Sequence, residues 1–307
     1  MNEAVGTKTA IALFGSVARR DCDHLSDKDV LIVDDNVQIA KHLAREFRVA
    51  GWSPVYYSWR RLEAAARSKR LFIQHLRQDA RILQDRDGHL NSILTDFRPR
   101  SGYRDELRDA EKFLRLPLMI PNCTRGFYWA ADVLTVGLRN YGILKLAHEG
   151  IYRFNLHSIL TTLVEIGCFR AKDISLLIGL REYKRMYRAG TLRAKLTFES
   201  VANVVNLVSD RIGVGSAAKK MSAEDTVRSA LFPVSECEWY HQARRLEAAL
   251  FAFRRSAKME SDHRCFETEV KRAVRSPADY GWVLKINKGR LSEQLLSLVN
   301  SCRLERW

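Results

Sequence analysis

Leu13-Phe14-Gly15-Ser16-Val17-Ala18-Arg19, followed by Ser26-Asp27-Lys28-Asp29-Val30-Leu31-Ile32-Val33, decides the fold. An apolar strand ends in a Gly-Ser turn, and a second apolar strand opens on two carboxylates one residue apart. Side chains alternate faces along a strand, so Asp27 and Asp29 are expected to point the same way. Paired carboxylates there make a hard-oxygen site suited to Mg²⁺ or Mn²⁺. The Gly-Ser turn offers backbone N–H groups, and the start of a short helix behind it favours phosphate oxygens. These parts suit a polyphosphate held together with its metal ions.

Outward from this stretch, strands are expected at about 9–14, 28–33 and 53–58. A helix is expected over 36–50, from Ile39, Leu43 and Phe47 at near-helical spacing, with Asp35 or Asn36 as cap and Gly51 as stop. Further helices are predicted at 61–68 and 71–83, and Asp85-Arg86-Asp87-Gly88 reads as a turn. Phe97-Arg98-Pro99-Arg100-Ser101-Gly102 reads as a linker, because Pro99 disfavours helix in its predecessor. The rest reads as helical: 123–148, 156–166, 174–188, 198–212, 223–231, 237–259 and 291–304. Residues 1–98 and 103–307 are therefore taken as two domains, an α/β one and a helical one.

The 307 residues suffice for two cores, and 46% of them are hydrophobic, as is normal for a globular chain. No apolar run is long enough for a membrane span, and the N-terminus carries no signal-peptide core; a cytoplasmic protein without membrane contact is expected. Six cysteines are scattered without metal-ligand spacing, which argues against a zinc site or a disulfide frame. The formal net charge is +15. Residues 1–100 hold 17 Lys/Arg against 13 Asp/Glu, so most of the surplus lies beyond them. Such a balance favours RNA, nucleotide or an acidic partner protein.

Gly15, Ser16, Asp27 and Asp29, with ten residues between Ser16 and Asp27, resemble the polymerase-β-like nucleotidyltransferase superfamily, in particular its minimal nucleotidyltransferases. The resemblance covers roughly residues 8–95. It implies an α+β fold: a small mixed β-sheet nucleotidyltransferase domain, followed by an all-α helical bundle that shapes an acceptor site. It also implies that Asp27 and Asp29 hold Mg²⁺ or Mn²⁺ and act in catalysis. Gly15 and Ser16 would grip the phosphates of an NTP, ATP by family frequency. Arg19 or Arg20 would neutralise charge on pyrophosphate. Active members usually carry a third carboxylate on the next strand. Here that strand reads Ser53-Pro54-Val55-Tyr56-Tyr57-Ser58, with Tyr56 expected at the carboxylate's position.

Two readings follow from the resemblance. In one, the chain transfers an NMP to a hydroxyl of RNA, tRNA or a partner protein, as toxin–antitoxin nucleotidyltransferases do. In the other, it is a catalytically degenerate nucleotide- or RNA-binding subunit of a larger, antiphage assembly. Antibiotic acceptors share this layout, but they are cationic and match a +15 chain poorly.

Arg181, Lys184, Arg185 and Arg188 stand at i, i+3, i+4 and i+7, one stripe on a helix that could meet a polyanion or simply be solvated. Asp34 lies about 16 Å along the strand from Asp29, too far to share its metal. Asp21 and Asp23 read as solvated loop carboxylates, and Asp85 and Asp87 as turn formers. Residues 124–190 loosely resemble the helical nucleotide-binding domains that accompany minimal nucleotidyltransferases. Arg153 with His157 and Arg139 with His148 lack the spacing of their ribonuclease motif, so these histidines read as structural.

Overall fold

A computed structural model describes residues 8–193, 195–215, 217–231 and 239–256. The predicted helix at 291–304 and the ends of that at 237–259 lie outside the described residues, as do Cys237, Cys265 and Cys302. Cys22, Cys123 and Cys168 are free thiols. The fold is mixed α+β, a four-stranded mixed sheet with many helices. Two compact units divide it. One runs to Gly102 and includes Ala147–Ser158; the other comprises Tyr103–Leu146 and continues from Ile159.

The first unit runs β1 (Ala10–Phe14), α1 (Gly15–Arg19), β2 (Asp29–Val33), α2 (Val37–Val49), β3 (Ser53–Tyr57), α3 (Trp59–Arg67), α4 (Leu71–Asp79), β4 (Arg81–Asp85) and α5 (His89–Asp96). The sheet order is β3-β2-β1-β4, with β1 antiparallel to both neighbours and β2 parallel to β3. Strands β1 and β2 are apolar almost throughout because both faces are covered. On one face Ile11, Val30 and Ile32 pack against Ala40, Leu43 and Ala44 of α2. On the other, Phe14 meets Phe72 of α4 edge-on, and Phe72 stacks on Tyr57. Asn36 caps α2 by accepting from the Gln38 and Ile39 N–H groups.

The helix expected over 71–83 ends at Asp79, and Arg81–Asp85 is a strand instead. Ala80 is extended (ψ 134°), and β4 pairs with the free edge of β1. A tertiary edge to pair with has overridden the local pattern here.

The second unit contains α6 (Arg104–Leu114), β5 (Met119–Pro121), α7 (Thr124–His148), α8 (Leu156–Glu165), α9 (Ile174–Ala189), α10 (Phe198–Ile212), β6 (Lys219–Met221), α11 (Ala223–Leu231) and α12 (Trp239–Ser256). α7 and α8 each extend past the division between the units. The second unit is not purely helical, because β5 and β6 form a short parallel pair. Three-residue strands leave no periodicity to read. Gly142 of α7 allows close packing on α8: a Cβ there would sit 2.2 Å from Ile159 Cγ2.

Candidate functional site

Register brings the motif residues together. Phe14, the last residue of β1, pairs with Asp29, the first of β2, so the following Gly15 turn lies beside the Asp29 carboxylate. Gly15 adopts φ +70°, and a Cβ on it would lie 2.9 Å from Asp29 Oδ2. Only glycine suits that backbone and that approach. Ser16 donates its hydroxyl to the Asp27 carbonyl at 3.3 Å, tying the turn to the loop that delivers the first carboxylate. Asp27 is exposed and Asp29 half-buried. Gly15, Ser16, Asp27 and Asp29 therefore converge at one end of the sheet.

A carboxylate lodged beside a glycine, with a second carboxylate two residues before it in the chain, is donor chemistry that suits a hard divalent cation whose remaining ligands are water or phosphate. Among the described residues no group of three or more His, Cys, Asp or Glu side chains is disposed to hold a metal ion. A cation here would thus depend on this pair and on ligands it brings with it.

The expected position of Tyr56 is corrected by the register. Tyr56 pairs with Ile32 and joins the core under α2. Paired residues share a face. The β3 residue beside Asp29 is Ser53, and Val55 follows it on that face. Neither is a carboxylate. Asp34 and Asp35 have other work: buried Asp34 accepts from Thr9 Oγ1 and the Asn36 N–H, and Asp35 accepts from the Trp59 N–H. Asp85 caps α5 through the Leu90 and Asn91 N–H groups.

Arg19 and Arg20 differ sharply. Arg19 is half-buried, with Nε 3.0 Å from Asp21 Oδ2 and Nη1 on Asp79 Oδ2. Burial works against its charge, but hydrogen bonds to Asp21 and Asp79 and their charges raise its pKa. Burial likewise opposes ionisation of Asp79; the hydrogen bond and charge of His75, then those of Arg19, outweigh it and hold the carboxyl below its ordinary range. Arg20 is exposed and sits in the left-handed region at φ +64°.

The basic stripe of α9 is also divided. Arg188 turns to Asp132 of α7, Nε to Oδ1 2.8 Å. Asp132 is fully buried and takes a second guanidinium, Arg244 Nη2 of α12, at 2.6 Å. Arg244 Nε lies 3.2 Å from Glu247 Oε2, and Tyr187 donates to Glu247 Oε1 at 2.7 Å. Burial would raise the Asp132 pKa, but Arg244, Arg188 and Lys184 lower it overall. This ionic core was missed by sequence reasoning, although a lone Asp132 within Trp129-Ala130-Ala131-Asp132-Val133-Leu134 signals a buried charge that needs a partner.

Comparison with known protein families, curated proteins and solved structures finds no match. No helix among the described residues is long and apolar enough to cross a membrane.

Proposed function

We propose that this chain is a Mg²⁺-dependent nucleotidyltransferase of the polymerase-β-like kind, with residues 1–98 as its nucleotidyltransferase domain. The reaction is transfer of an NMP, AMP from ATP, to a hydroxyl of a macromolecular acceptor in the cytoplasm. The observation that carries the reading is the convergence of Gly15, Ser16, Asp27 and Asp29, with the missing Gly15 Cβ making room for Asp29 Oδ2.

Asp27 and Asp29 would hold Mg²⁺ or Mn²⁺. Bound there, the ion supplies charge neutralisation at the phosphates and lowers the pKa of the attacking hydroxyl. The N–H groups of the Gly15-Ser16 turn orient the β- and γ-phosphates, and Arg20 meets the leaving pyrophosphate from its exposed position. The positive surplus beyond residue 100 favours an RNA acceptor, tRNA included, or an acidic partner protein such as the toxin of a toxin–antitoxin pair. Arg181, Lys184 and Arg185 are the residues of α9 proposed to meet such a polyanion; Arg188 is paired with Asp132.

A second reading has its own observation. Ser53 and Val55 stand where a third carboxylate would complete the pair. On that reading the chain binds nucleotide or RNA without turnover, as a subunit of a larger defence assembly.

The test incubates the purified full chain with each α-³²P-NTP, Mg²⁺ or Mn²⁺, and total RNA plus lysate of its host. Label on RNA, protein or a small product, lost in Asp27→Asn/Asp29→Asn, supports transfer. Label that survives that double substitution refutes these residues as the site. Nucleotide binding without label in any condition supports the second reading.

A further inference from the structure

We propose that Arg19 is a positioning residue for the metal-binding carboxylates rather than a ligand of the nucleotide phosphates. Its clamp is completed by the segment between α7 and α8. The proposal rests on the nucleotidyltransferase reading of Asp27 and Asp29.

Arg19 is held between two carboxylates, Asp21 at its Nε and Asp79 at its Nη1. With Nε and Nη1 both engaged by carboxylates, the guanidinium has its charge largely offset, which is poor ground for a polyphosphate. What the clamp does offer is a fixed start for the loop that leads to Asp27. The Asp21 N–H donates to Ser16 O at 3.0 Å, so the backbone and the side chain of Asp21 are both anchored to α1. Two residues on, Asp23 closes a tight turn, accepting from the Leu25 N–H at 3.0 Å and Ser26 Oγ at 2.8 Å. Asp27 follows directly, its carbonyl held by Ser16 Oγ. The loop is thus pinned at its start, its middle and its end, and Arg19 supplies the first pin.

The far side of the clamp is built equally firmly. Asp79 is only 4% exposed and has His75 Nε2 at 3.1 Å, one helical turn back along α4. The His75 ring stands edge-on to Phe14 and stacks on Phe154 at 4.3 Å. Phe14 immediately precedes Gly15, so the same aromatic packing supports the turn beside Asp29.

Asn155, 134 positions beyond Asp21, and Phe154 just before it still belong to the first unit. Asn155 donates Nδ2 to Asp21 Oδ2 at 2.9 Å, while its Oδ1 accepts from the Ser158 N–H at the start of α8. The residue that begins α8 therefore also holds the carboxylate that orients Arg19.

The experiment is a Mn²⁺ titration of the full chain, followed by electron paramagnetic resonance without nucleotide. Affinity for a fluorescent ATP analogue is then measured at low and at saturating Mn²⁺. Variants are Arg19→Met, Arg19→Lys, Asn155→Ala and Arg20→Ala. Arg19→Met and Asn155→Ala should weaken Mn²⁺ binding by about 10-fold, the scale on which residues that orient metal ligands act. Arg19→Lys, keeping the charge, should recover part of that loss. For these three, ATP-analogue affinity should return to within about 2-fold of the parent once Mn²⁺ saturates. Arg20→Ala should behave oppositely, with Mn²⁺ affinity intact and nucleotide affinity lowered at every Mn²⁺ concentration. Asn155→Ala leaves the Arg19–Asp79 pair in place and guards against an unfolded Arg19 variant. If Arg19→Met leaves Mn²⁺ binding unchanged and weakens nucleotide binding throughout, Arg19 is a phosphate ligand and the proposal fails alone. A parent protein that binds neither Mn²⁺ nor nucleotide overturns the nucleotidyltransferase reading as well.

Discussion

Asp132→Asn isolates the ionic core of the second unit. Asp132 is 0% exposed and Arg244 1%, and their contact is a 2.6 Å charge-assisted bond. The substitution keeps the shape and removes the charge. Arg188, 47% exposed, can rehydrate; Arg244 cannot. Its remaining carboxylate, Glu247, has a pKa pushed up by burial more than Arg244 and the Tyr187 bond pull it down, so it compensates weakly. A buried charge that loses its partner costs about 3–5 kcal/mol. Two compact units make a single global unfolding curve ambiguous. Hydrogen exchange of α7, α9 and α12 read by mass spectrometry reports the second unit directly. The cost corresponds to exchange roughly 10²–10⁴-fold faster in those helices, with α2 and α4 of the first unit unchanged. Replacing the whole group, Asp132→Leu with Arg244→Met and Glu247→Gln, should restore protection to within about 1 kcal/mol of the parent, because no uncompensated charge remains. Acceleration below about 10-fold in Asp132→Asn would show that Arg244 is neutralised by something other than Asp132, and the account of this core would be wrong.

Gly15→Ala forces φ +70° on an L-residue and drives its Cβ toward Asp29 Oδ2. Stability of the first unit should fall by about 1–2 kcal/mol, read as faster hydrogen exchange of β1 and β2, and on the proposed reading α-³²P-NTP labelling should be lost with it. His241, whose ring lies tilted against Phe113, has a pKa lowered to about 4, by burial first and then by Arg245 and Lys112. A depressed folded-state pKa gives stability that is full above the unfolded value near 6.5 and is lost as pH falls toward 4. Exchange protection of α12 should therefore drop by about 2 kcal/mol from pH 7.5 to 5, after correction for intrinsic rates, and His241→Phe should abolish that drop. If α9 meets RNA, Arg181→Glu/Arg185→Glu should lower affinity and flatten its dependence on salt in a filter-binding titration, and an unchanged slope would remove α9 from the interface.

The geometry of the candidate site was legible wherever it depended on neighbours in sequence. The apolar runs of β1 and β2, the Gly-Ser turn between them and the Asp27–Asp29 spacing are all local, and the turn meets Asp29 because the antiparallel register pairs Phe14 with Asp29. Tyr56 was misplaced because counting along β3 does not reveal which residue stands opposite Asp29; the parallel ladder puts Ser53 there and turns Tyr56 to the other face. β4 was hidden behind α4, since Arg81-Ile82-Leu83 continues an apolar pattern and only pairing with β1 makes it a strand. The Arg19 clamp gathers residues 19, 21, 75, 79 and 155, which no spacing rule connects. Asp21 looked like a solvated loop residue because its partner Asn155 is so far along the chain.

On the proposed reading, charge at the candidate site would link metal binding to nucleotide binding. From α1 to the first residue of β2 the chain carries Asp21, Asp23, Asp27 and Asp29 against Arg19, Arg20 and Lys28, and Arg19 is shared with Asp79. A bare triphosphate, itself strongly anionic, would meet repulsion there, several kcal/mol in sum at the effective dielectric of a protein surface. A divalent cation on Asp27 and Asp29 reverses the sign of the field that the phosphates feel. On that reading metal and nucleotide would bind cooperatively, and by reciprocity each would raise affinity for the other by the same factor. A chain adapted to hold nucleotide without turnover has no need of that dependence and would be expected to keep unpaired basic side chains at the phosphates. Here Arg19 is instead spent on Asp21 and Asp79. On the proposed reading this arrangement suits metal-dependent transfer. Nucleotide affinity equal in EDTA and in saturating Mg²⁺ would contradict it; a rise of about 10-fold or more with Mg²⁺, the range of ordinary coupling energies, is the expected result.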